Sequence, residues 1–322
     1  MQPFIRIIAV VVTAFIIAWP LATPINKVLF RYRHHDAKRL TEIYENNTAY
    51  DMLFIGASRT HRDIYPRIID SICGVNSYNA GTESGTIHDF KMTLDGFLVN
   101  HPAPKVVVLT MDLSSFMKPY DIHFYPQYFP YLNNKALAHD LSEYGYNVNT
   151  VKLFPFLMIT DFDDFSKESA IQMIRGRDTT DISTGDFDYK GYISNSDGYI
   201  KKTELEKVHK NMNIHPESVS SLNEMLEVCR LHHIKVIFTY APEYNFNLQR
   251  TRTNTDNVFS LITQTAKKNS IPYLRDDSLN LCRNPRLFAN NGHLNKQGAV
   301  VYSAILAKEL NKVLPPSADK IH

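Results

Sequence analysis

The chain has 322 residues, of which 44% are hydrophobic and 21% are charged, with 35 Lys and Arg against 33 Asp and Glu. A chain of this size and composition buries a full globular core, which argues against disorder, collagen and coiled coil. A net charge of +2 provides no field that favours nucleic acid as a partner. Without a C-x-x-C pair, Cys73, Cys229 and Cys282 support neither a disulfide framework nor a zinc ribbon, and we expect them in the core.

The first predicted element is an apolar segment near the N-terminus. Residues 7–26 are twenty consecutive uncharged residues, preceded by Arg6 and followed by a basic stretch that begins at Lys27. A helix of this length crosses a bilayer, so we predict a transmembrane anchor or uncleaved signal at residues 5–24. A cleaved signal peptide is the alternative, although no A-x-A-like site follows. The basic flank conflicts with an exported body under the positive-inside rule, so the orientation stays open.

Beyond this segment, predicted strands alternate with predicted helices. Apolar and β-branched runs predict five buried strands, at residues 51–57, 75–81, 105–112, 235–242 and 271–274. Apolar residues at helical spacing predict four amphipathic helices, at residues 83–99, 219–232, 255–269 and 296–314. This alternation predicts an α/β fold, a flavodoxin-like three-layer sandwich with a five-stranded parallel sheet.

The regular alternation breaks after the third predicted strand. Residues 113–213 are too many for a plain connection and are dense in Phe, Tyr and Asp. They predict an insertion that serves as a lid or a substrate subdomain. The α/β domain is therefore expected to comprise residues 48–112 and 214–314.

A serine stands where a parallel sheet places its chemistry, at the carboxyl end of a strand. Ser58 follows the first predicted strand, where a hydroxyl is exposed and a helix N-terminus favours developing negative charge. Taken alone, Ser58 is explained better as a cap of the next turn. Thr60 occupies the place of the second glycine of G-x-S-x-G, which argues against the α/β-hydrolase superfamily.

A histidine in a polar loop lies directly before the last predicted helix. From this loop the imidazole of His293 can point back over the sheet and take a proton from Ser58. Helix capping and plain solvation are the alternatives for one histidine among thirteen. The pairing with Ser58, and with Gly81, whose backbone N–H is free to face a tetrahedral oxyanion, favours nucleophilic catalysis.

Two charged residues extend the predicted site toward a substrate. Arg59 follows Ser58 and either contacts an anionic substrate or its acyl carbonyl, or forms a surface salt bridge. Glu243 follows the fourth predicted strand and is a candidate contact for substrate hydroxyls. The sequence contains no Walker A loop, G-x-G-x-x-G fingerprint, H-E-x-x-H helix or zinc-ligand cluster, so it predicts no cofactor and no metal.

Four sequence blocks occur in an order that is typical of one family. The blocks are Gly56-x-Ser58, Asn79-x-Gly81, Thr110-Met111-Asp112 and Asn290-x-x-His293-Leu-Asn-x-x-Gly-Ala. Together they resemble the SGNH (GDSL-like) hydrolase superfamily. The N-terminal segment, the Gly-x-Ser-Arg start and the long insertion are most similar to its membrane-anchored DltD-like and polysaccharide O-acetylation-linked branches. The resemblance implies Ser58 as nucleophile, His293 as general base, and the N–H groups of Ser58 and Gly81 as oxyanion donors.

Two residues depart from the family pattern. Asn290 stands where the family has Asp, three residues before the histidine, and Asp112 stands where the family has the oxyanion Asn of its third block. Asn290 can still accept a hydrogen bond from Nδ1–H and orient the imidazole, but it supplies no charge to the imidazolium. Asp112 either supplies that charge instead or, ionised at the site, repels an oxyanion. A dyad of Ser58 and His293 is the minimal expectation.

These observations predict an extracytoplasmic serine esterase or O-acyltransferase that moves acyl groups, expected to be acetyl, on or off a cell-envelope polysaccharide. The expected partners are this glycan or an acylated small substrate, the membrane through the N-terminal helix, and a membrane-bound O-acyltransferase. Nucleic acid is not an expected partner. The alternative is a catalytically degenerate binding or assembly module that keeps the fold and partners a membrane acyltransferase.

Overall fold

The structure is a computed structural model of the chain, and it describes the chain with several gaps. The described residues are 2–33, 37–118, 125–154, 175, 187–195, 197–201 and 210–314. The chain divides into two compact units. One unit comprises Met1–Asn46 and Phe124–Thr184, and the other comprises Asn47–His123 and Gly185–His322.

Helices and strands alternate through much of the described chain. The α-helices are α1 (Gln2–Arg33), α2 (Ala37–Tyr44), α3 (Ser58–Asp63), α4 (Pro66–Cys73), α5 (Ile87–Asn100), α6 (Lys135–Glu143), α7 (Val148–Leu153), α8 (Pro216–Leu231), α9 (Asn247–Arg250), α10 (Thr255–Lys268) and α11 (Lys296–Val313). The strands are β1 (Met52–Ile55), β2 (Ser77–Asn79), β3 (Val106–Thr110), β4 (Phe187–Tyr189), β5 (Tyr192–Ile193), β6 (Lys210–Asn211), β7 (Lys235–Tyr240), β8 (Arg252–Thr253) and β9 (Tyr273–Arg275).

A five-stranded parallel sheet in the order β2-β1-β3-β7-β9 organises the second unit. β1 pairs with β2 and β3, β3 pairs with β7, and β7 pairs with β9, all in parallel. Counted among these five strands alone, the order is 2-1-3-4-5, which is the flavodoxin-like arrangement. The predicted fold class is confirmed, and each strand lies within or overlaps its predicted segment.

The core of this unit lies on both faces of the sheet. Met52, Phe54 and Val108 belong to one buried cluster with side chains of α4 and α11, such as Leu306. Successive side chains of a strand point to opposite faces, so the fully buried Leu53 lies on the other side. On that side α5 and α8 pack together and contact β1 and β7. The result is the predicted three-layer arrangement, and the three cysteines are buried, as expected.

The start of α5 bears directly on the site. The backbone N–H and the hydroxyl of Thr86 both donate to the Asp89 carboxylate, as in a capping box. This box starts the helix at Ile87, four residues later than the periodicity predicts. Residues 83–86 are therefore left as a loop at the carboxyl edge of the sheet.

Helix α1 belongs to the first unit and matches the predicted apolar segment. Its span Pro3–Ala22 covers 20 residues with a mean hydropathy of 2.3, and Ala22 is its one buried residue. Large apolar side chains such as Phe4 and Val10 are 67% and 68% exposed. Among the described helices it is the one long and apolar enough to cross a membrane. A membrane anchor and a signal sequence both satisfy this test.

The predicted insertion at 113–213 falls partly outside the described residues. Of its described elements, α6 and α7 belong to the first unit, whereas β4 and β5 belong to the unit that contains the sheet. β4 and β5 pair antiparallel, and the backbone N–H of Asn79 donates to the Lys190 carbonyl at 2.9 Å. This segment extends the α/β unit beyond the predicted boundary, because it supplies a backbone hydrogen bond to the outer edge of β2.

Candidate active site

Ser58 lies at the carboxyl end of β1, as the first residue of α3. A Cβ at Gly56 would lie 2.0 Å from Thr60 Oγ1 and 2.9 Å from Thr110 Cβ, so only glycine allows α3 to start this close to the sheet. The first N–H groups of a helix have no intrahelical acceptor, so the Ser58 N–H is not used by the helix itself. Ser58 lines a cavity of about 400 Å³.

The structure brings His293 to Ser58. His293 lies in the loop between β9 and α11 and lines the same cavity. Its Nε2 is 2.8 Å from Ser58 Oγ, across a separation of 235 residues in the chain. This is the hydrogen-bond distance that a nucleophile and its general base require.

Asn290 determines which ring nitrogen of His293 carries the proton. Asn290 Oδ1 accepts the backbone N–H groups of Gly292 and His293, each at 3.0 Å, and lies 3.0 Å from His293 Nδ1. Because two backbone donors identify this atom as the oxygen, Nδ1 must be the protonated nitrogen of the neutral ring. Nε2 is therefore the acceptor of the Ser58 hydroxyl proton, which is the tautomer of a general base.

The surroundings of His293 keep its ring neutral. Burial lowers the pKa of His293 to about 4, with Glu83 acting in the opposite direction and Arg59 and Arg62 adding to the lowering. At neutral pH the imidazole is therefore unprotonated and ready to accept a proton. Asn290, being uncharged, adds no electrostatic stabilisation to the imidazolium.

Asp63 connects the helix that carries Ser58 to the loop that carries His293. Asp63 ends α3 and is fully buried, and its Oδ1 accepts the backbone N–H of Leu294 at 3.0 Å. Burial raises the pKa of Asp63 well above its usual range, although Arg59 and the Leu294 hydrogen bond act against this. Asp63 is thus a positioning residue. No sequence signal identifies it, because its partner is a backbone group 231 residues away.

Arg59 and Asp112 form a buried ion pair beside Ser58. Arg59 Nη1 lies 2.6 Å from Asp112 Oδ1, and the two side chains are 4% and 7% exposed. Arg59 also donates to the Ala241 carbonyl, and its guanidinium lies 4.5 Å from the centre of the Tyr240 ring. Burial alone would lower the pKa of Arg59, but the Asp112 charge raises it overall, while burial raises the pKa of Asp112.

This pair corrects the predicted roles of Arg59 and Asp112. Arg59 lines the cavity, but its hydrogen bonds and its burial make it neither a mobile substrate contact nor a surface salt bridge. Asp112 is not a displaced triad carboxylate, because the two ring nitrogens of His293 bond to Asn290 and Ser58. A carboxylate donates no hydrogen bond to an oxyanion, and Arg59 neutralises the charge that would repel one.

Gly81 does not have the predicted oxyanion role in this structure. Its backbone N–H donates to Asn79 Oδ1 at 3.0 Å and is not free to face the cavity. Asn79 also donates to the carbonyls of Thr60 and Ile64, each at 2.7 Å, and so holds α3 against the end of β2. A Cβ at Gly81 would lie 2.4 Å from the backbone nitrogen of His61. The requirement for glycine here is steric.

Glu243 is also placed differently from the prediction. It is fully buried and lies outside the cavity lining. Its carboxylate accepts the backbone N–H of Leu248, the side-chain amide of Gln249 and, at 3.3 Å, the hydroxyl of Tyr240. Glu243 therefore holds the loop after β7, and the predicted place of its side chain at the rim of the site is not what the structure shows.

The loop after β2 contributes cavity residues that no motif indicated. Ser84 and Thr86 line the cavity, and Ser84 has a φ of 54°, in the left-handed region that is costly for residues other than glycine. Such backbone strain clusters at functional sites. Functional groups gather at the carboxyl ends of parallel strands, and this rule, which led to Gly81, applies to the loop after β2 as well. It is the sequence signal that would have identified Ser84 and Thr86. Among the described residues, no group of three or more His, Cys, Asp or Glu side chains is placed to hold a metal ion.

Comparisons with known proteins give structural similarity alone. No protein-family model matches the chain, and no curated protein matches it in sequence. A GDSL-like lipase from Bacteroides thetaiotaomicron is 13% identical over 89% of this chain and 100% of that chain, with a TM-score of 0.39. A catalytic mutant of an acetylxylan esterase from Geobacillus stearothermophilus is 11% identical over 83% and 96%, with a TM-score of 0.42. The α/β fold itself is established by the strand order of this chain.

Proposed function

We propose that the chain is a serine esterase or O-acyltransferase of the SGNH type. The observation that carries this proposal is the hydrogen-bonded series Ser58 Oγ, His293 Nε2, His293 Nδ1 and Asn290 Oδ1. In this series the acceptor nitrogen is next to the hydroxyl and the ring is neutral, so proton transfer from serine to histidine is set up. The four sequence blocks support the family proposal independently of this geometry.

The proposed reaction begins with acylation of Ser58. Ser58 Oγ attacks the acyl carbonyl carbon while its proton passes to His293 Nε2, and the carbonyl electrons move onto the oxygen. When the carbonyl re-forms, the C–O bond to the alcohol breaks, and the alcohol leaves with the proton from Nε2. Water, or an acceptor hydroxyl, then attacks the acyl-serine by the same steps and releases an acid or a new ester. The backbone N–H of Ser58 is the oxyanion donor in this proposal.

The proposed setting is outside the cytoplasm, with α1 as a single-pass anchor. Its support is the apolar span Pro3–Ala22, which is unburied except at Ala22. We propose acetyl groups of a cell-envelope polysaccharide as the acyl substrate, and a membrane-bound O-acyltransferase as the partner, on the sequence resemblance to DltD-like and O-acetylation-linked branches. A C-terminal reporter fusion tests the location. Activity of a reporter that works only after export supports the proposal, and activity of a cytoplasmic reporter alone overturns it.

The enzyme proposal is tested with the full-length protein in detergent micelles. Wild type should hydrolyse 4-nitrophenyl acetate and become labelled at Ser58 by a fluorophosphonate. Ser58→Ala and His293→Ala should each abolish turnover, and the double variant should be no worse, because nucleophile and base act as one unit. Equal background rates in wild type and both variants, together with no labelling, overturn the enzyme proposal.

A binding or assembly module is the second candidate. The observation that favours it is the amide of Asn290 in place of a carboxylate, since loss of that charge costs a related triad about four orders of magnitude in kcat. Such a module would bind an acetylated glycan with equal affinity in wild type and Ser58→Ala, and neither would hydrolyse it.

A further inference from the structure

The backbone of Leu294, the residue after His293, is held on both sides by side chains. Its N–H donates to Asp63 Oδ1 at 3.0 Å, and its carbonyl accepts a hydrogen bond from Asn195 Nδ2 at 2.7 Å. The first bond fixes the peptide unit that joins His293 to Leu294, and the second fixes the peptide unit that follows. Because peptide units are planar, two fixed units in succession restrict the course of the chain at His293. The position of the imidazole therefore depends on Asn195 as well as on Asp63.

Asn195 is itself oriented by a charged side chain. Arg62 Nη1 donates to Asn195 Oδ1 at 3.1 Å, which identifies this atom as the oxygen and Nδ2 as the donor to the Leu294 carbonyl. Arg62 and Asp63 are consecutive residues of α3, the helix that begins with Ser58. The helix of the proposed nucleophile thus holds the loop of the proposed base twice, directly through Asp63 and indirectly through Asn195.

The chain around Asn195 packs on the same loop. Asn195 lies two residues after β5, in the part of the predicted insertion that belongs to the α/β unit. A few residues later, the Gly198 carbonyl accepts a hydrogen bond from Asn295 Nδ2 at 3.1 Å. Of the residues 187–200 that the structure describes, none lines the cavity. This segment therefore bears on the site through the loop of His293 and not through contact with a ligand in the cavity.

We propose that Asn195 is a positioning residue for His293: by holding the Leu294 carbonyl, it keeps His293 Nε2 at hydrogen-bond distance from Ser58 Oγ. This inference rests on the proposed function for the reaction in which the base takes part, whereas the placement of the ring is a property of the fold. Misplacement of a reacting group by about 1 Å can cost about a hundredfold in rate, so one side chain outside the cavity can control turnover. In this role, a part of the predicted insertion supports the Ser58–His293 pair rather than covering the cavity.

Two substitutions of Asn195 test the hydrogen bond to the Leu294 carbonyl. Asn195→Ala removes the side-chain amide, whereas Asn195→Asp keeps its shape and an oxygen for Arg62 but has no N–H to donate. In the full-length protein at pH 8, each should lower kcat for 4-nitrophenyl acetate by about ten- to hundredfold. KM should change by less than about twofold, because His293 acts in both acylation and deacylation and Asn195 does not line the cavity. Wild-type kcat in either variant overturns the inference.

Asn311→Ala is the matched control. Asn311 Nδ2 also donates to a backbone carbonyl of a distant segment, that of Ile72 at 3.3 Å, and it joins α11 to α4 outside the cavity lining. Its removal should leave kcat unchanged. The comparison is made at a temperature at which thermal unfolding shows every variant to be folded. A loss of kcat in Asn311→Ala equal to that in Asn195→Ala overturns the inference, because any such bond would then affect turnover.

The pKa of His293 gives a measurement that does not depend on turnover. Burial lowers this pKa to about 4, and the loosened loop of Asn195→Ala exposes the ring to water, so the pKa should rise toward its ordinary value. Glu83, Arg59 and Arg62, the charged groups that act on this ring, are all retained in the variant. NMR titration measures the pKa, and the ring signal is assigned by its absence in His293→Gln. The same pKa in Asn195→Ala and in wild type overturns the inference.

The two measurements separate this inference from the proposed function. If wild type hydrolyses no ester, a raised His293 pKa in Asn195→Ala, with the wild-type pKa in Asn311→Ala, supports the positioning role and overturns only the esterase proposal. If wild type and Asn195→Ala hydrolyse 4-nitrophenyl acetate equally fast and share one His293 pKa, the positioning role is overturned and the esterase proposal stands.

Discussion

Asn290 Oδ1 lies 3.0 Å from His293 Nδ1 and is held there by two backbone N–H groups of its own loop. The amide fixes the orientation and the tautomer of the ring, but it has no charge with which to stabilise the imidazolium. Orientation and charge stabilisation are usually supplied together by one carboxylate. In this chain the orientation is present and the charge is absent.

The first prediction concerns the pH dependence of the enzyme reaction. A protonated His293 cannot accept the Ser58 proton, and burial lowers the pKa of this ring to about 4. The kcat/KM for a neutral ester should therefore stay level as the pH falls from 8 to about 5, and should decrease as the pH falls through about 4. A pH–rate profile with 4-nitrophenyl acetate measures it. A fall centred near the ordinary histidine pKa would contradict the lowering of the His293 pKa by burial.

Replacement of Asn290 by aspartate is the second prediction. Asp has the same shape and can accept the same three N–H groups, and its charge stabilises the imidazolium. We expect Asn290→Asp to raise kcat by about tenfold or more and to move the acidic fall of the profile to higher pH. Asn290→Ala is the control, which should lower kcat because the ring loses its orientation. An unchanged acidic fall in Asn290→Asp would show that the new carboxylate does not interact with His293.

Removal of the Asp112 charge is the third prediction. Asp112→Ala leaves the Arg59 guanidinium buried without its counter-charge, which should lower the free energy of unfolding by about 3–5 kcal/mol. Denaturant unfolding measures this loss. The control Asp197→Asn, at an exposed carboxylate, should change the free energy of unfolding by less than about 0.5 kcal/mol.

The same residue is tested for a role in activity. In an Asp112→Asn protein, Asn290→Asp should raise kcat by no more than it does in wild type. A specific rescue would mean that Asp112 supplies charge to His293 after all.

The fourth prediction tests Asp63 as a positioning residue. Asp63→Asn keeps an oxygen for the Leu294 N–H and matches the neutral form that burial favours, so kcat should stay close to wild type. Asp63→Ala removes this acceptor, and kcat should fall by about ten- to hundredfold with little change in KM, because the loop moves the base away from Ser58. Equal losses of kcat in the two variants would indicate a general folding defect. The positioning role requires that kcat is kept in Asp63→Asn and lost in Asp63→Ala.

Gly81 provides the fifth prediction. Gly81→Ala forces a methyl group to within 2.4 Å of the His61 backbone nitrogen, so it should lower the free energy of unfolding by about 1–3 kcal/mol. Gly292→Ala is the matched control, because its Cβ would meet Leu248 at an ordinary distance of 3.4 Å. Thermal unfolding compares the two. If Gly81→Ala unfolds like wild type, the backbone at His61 is not as close as the structure has it.

The fold and the two residues at the centre of the proposed chemistry could be predicted from the amino-acid pattern. Apolar and β-branched runs are local patterns, and each identified a strand of the sheet without knowledge of its neighbours. Ser58 follows β1 after only Gly56 and Ala57, and strand ends of a parallel sheet share one edge, so its placement needed no contact information. His293 stood out as a histidine in a polar loop directly before the last helix, and the resemblance of four blocks to a known family implied its role as general base.

The partner of each charged or polar group is known only from the folded chain. Arg59 pairs with Asp112 rather than with solvent, Glu243 turns inward to its own loop, and the N–H of Gly81 bonds to Asn79. Each of these groups has several chemically suitable partners in the sequence, and the choice depends on burial, because an unpaired buried charge or donor is costly. The burial of these polar groups arises only when segments as distant as Asp63 and Leu294 pack together, so a local apolar pattern does not indicate which polar side chain will be enclosed or what it will bond to.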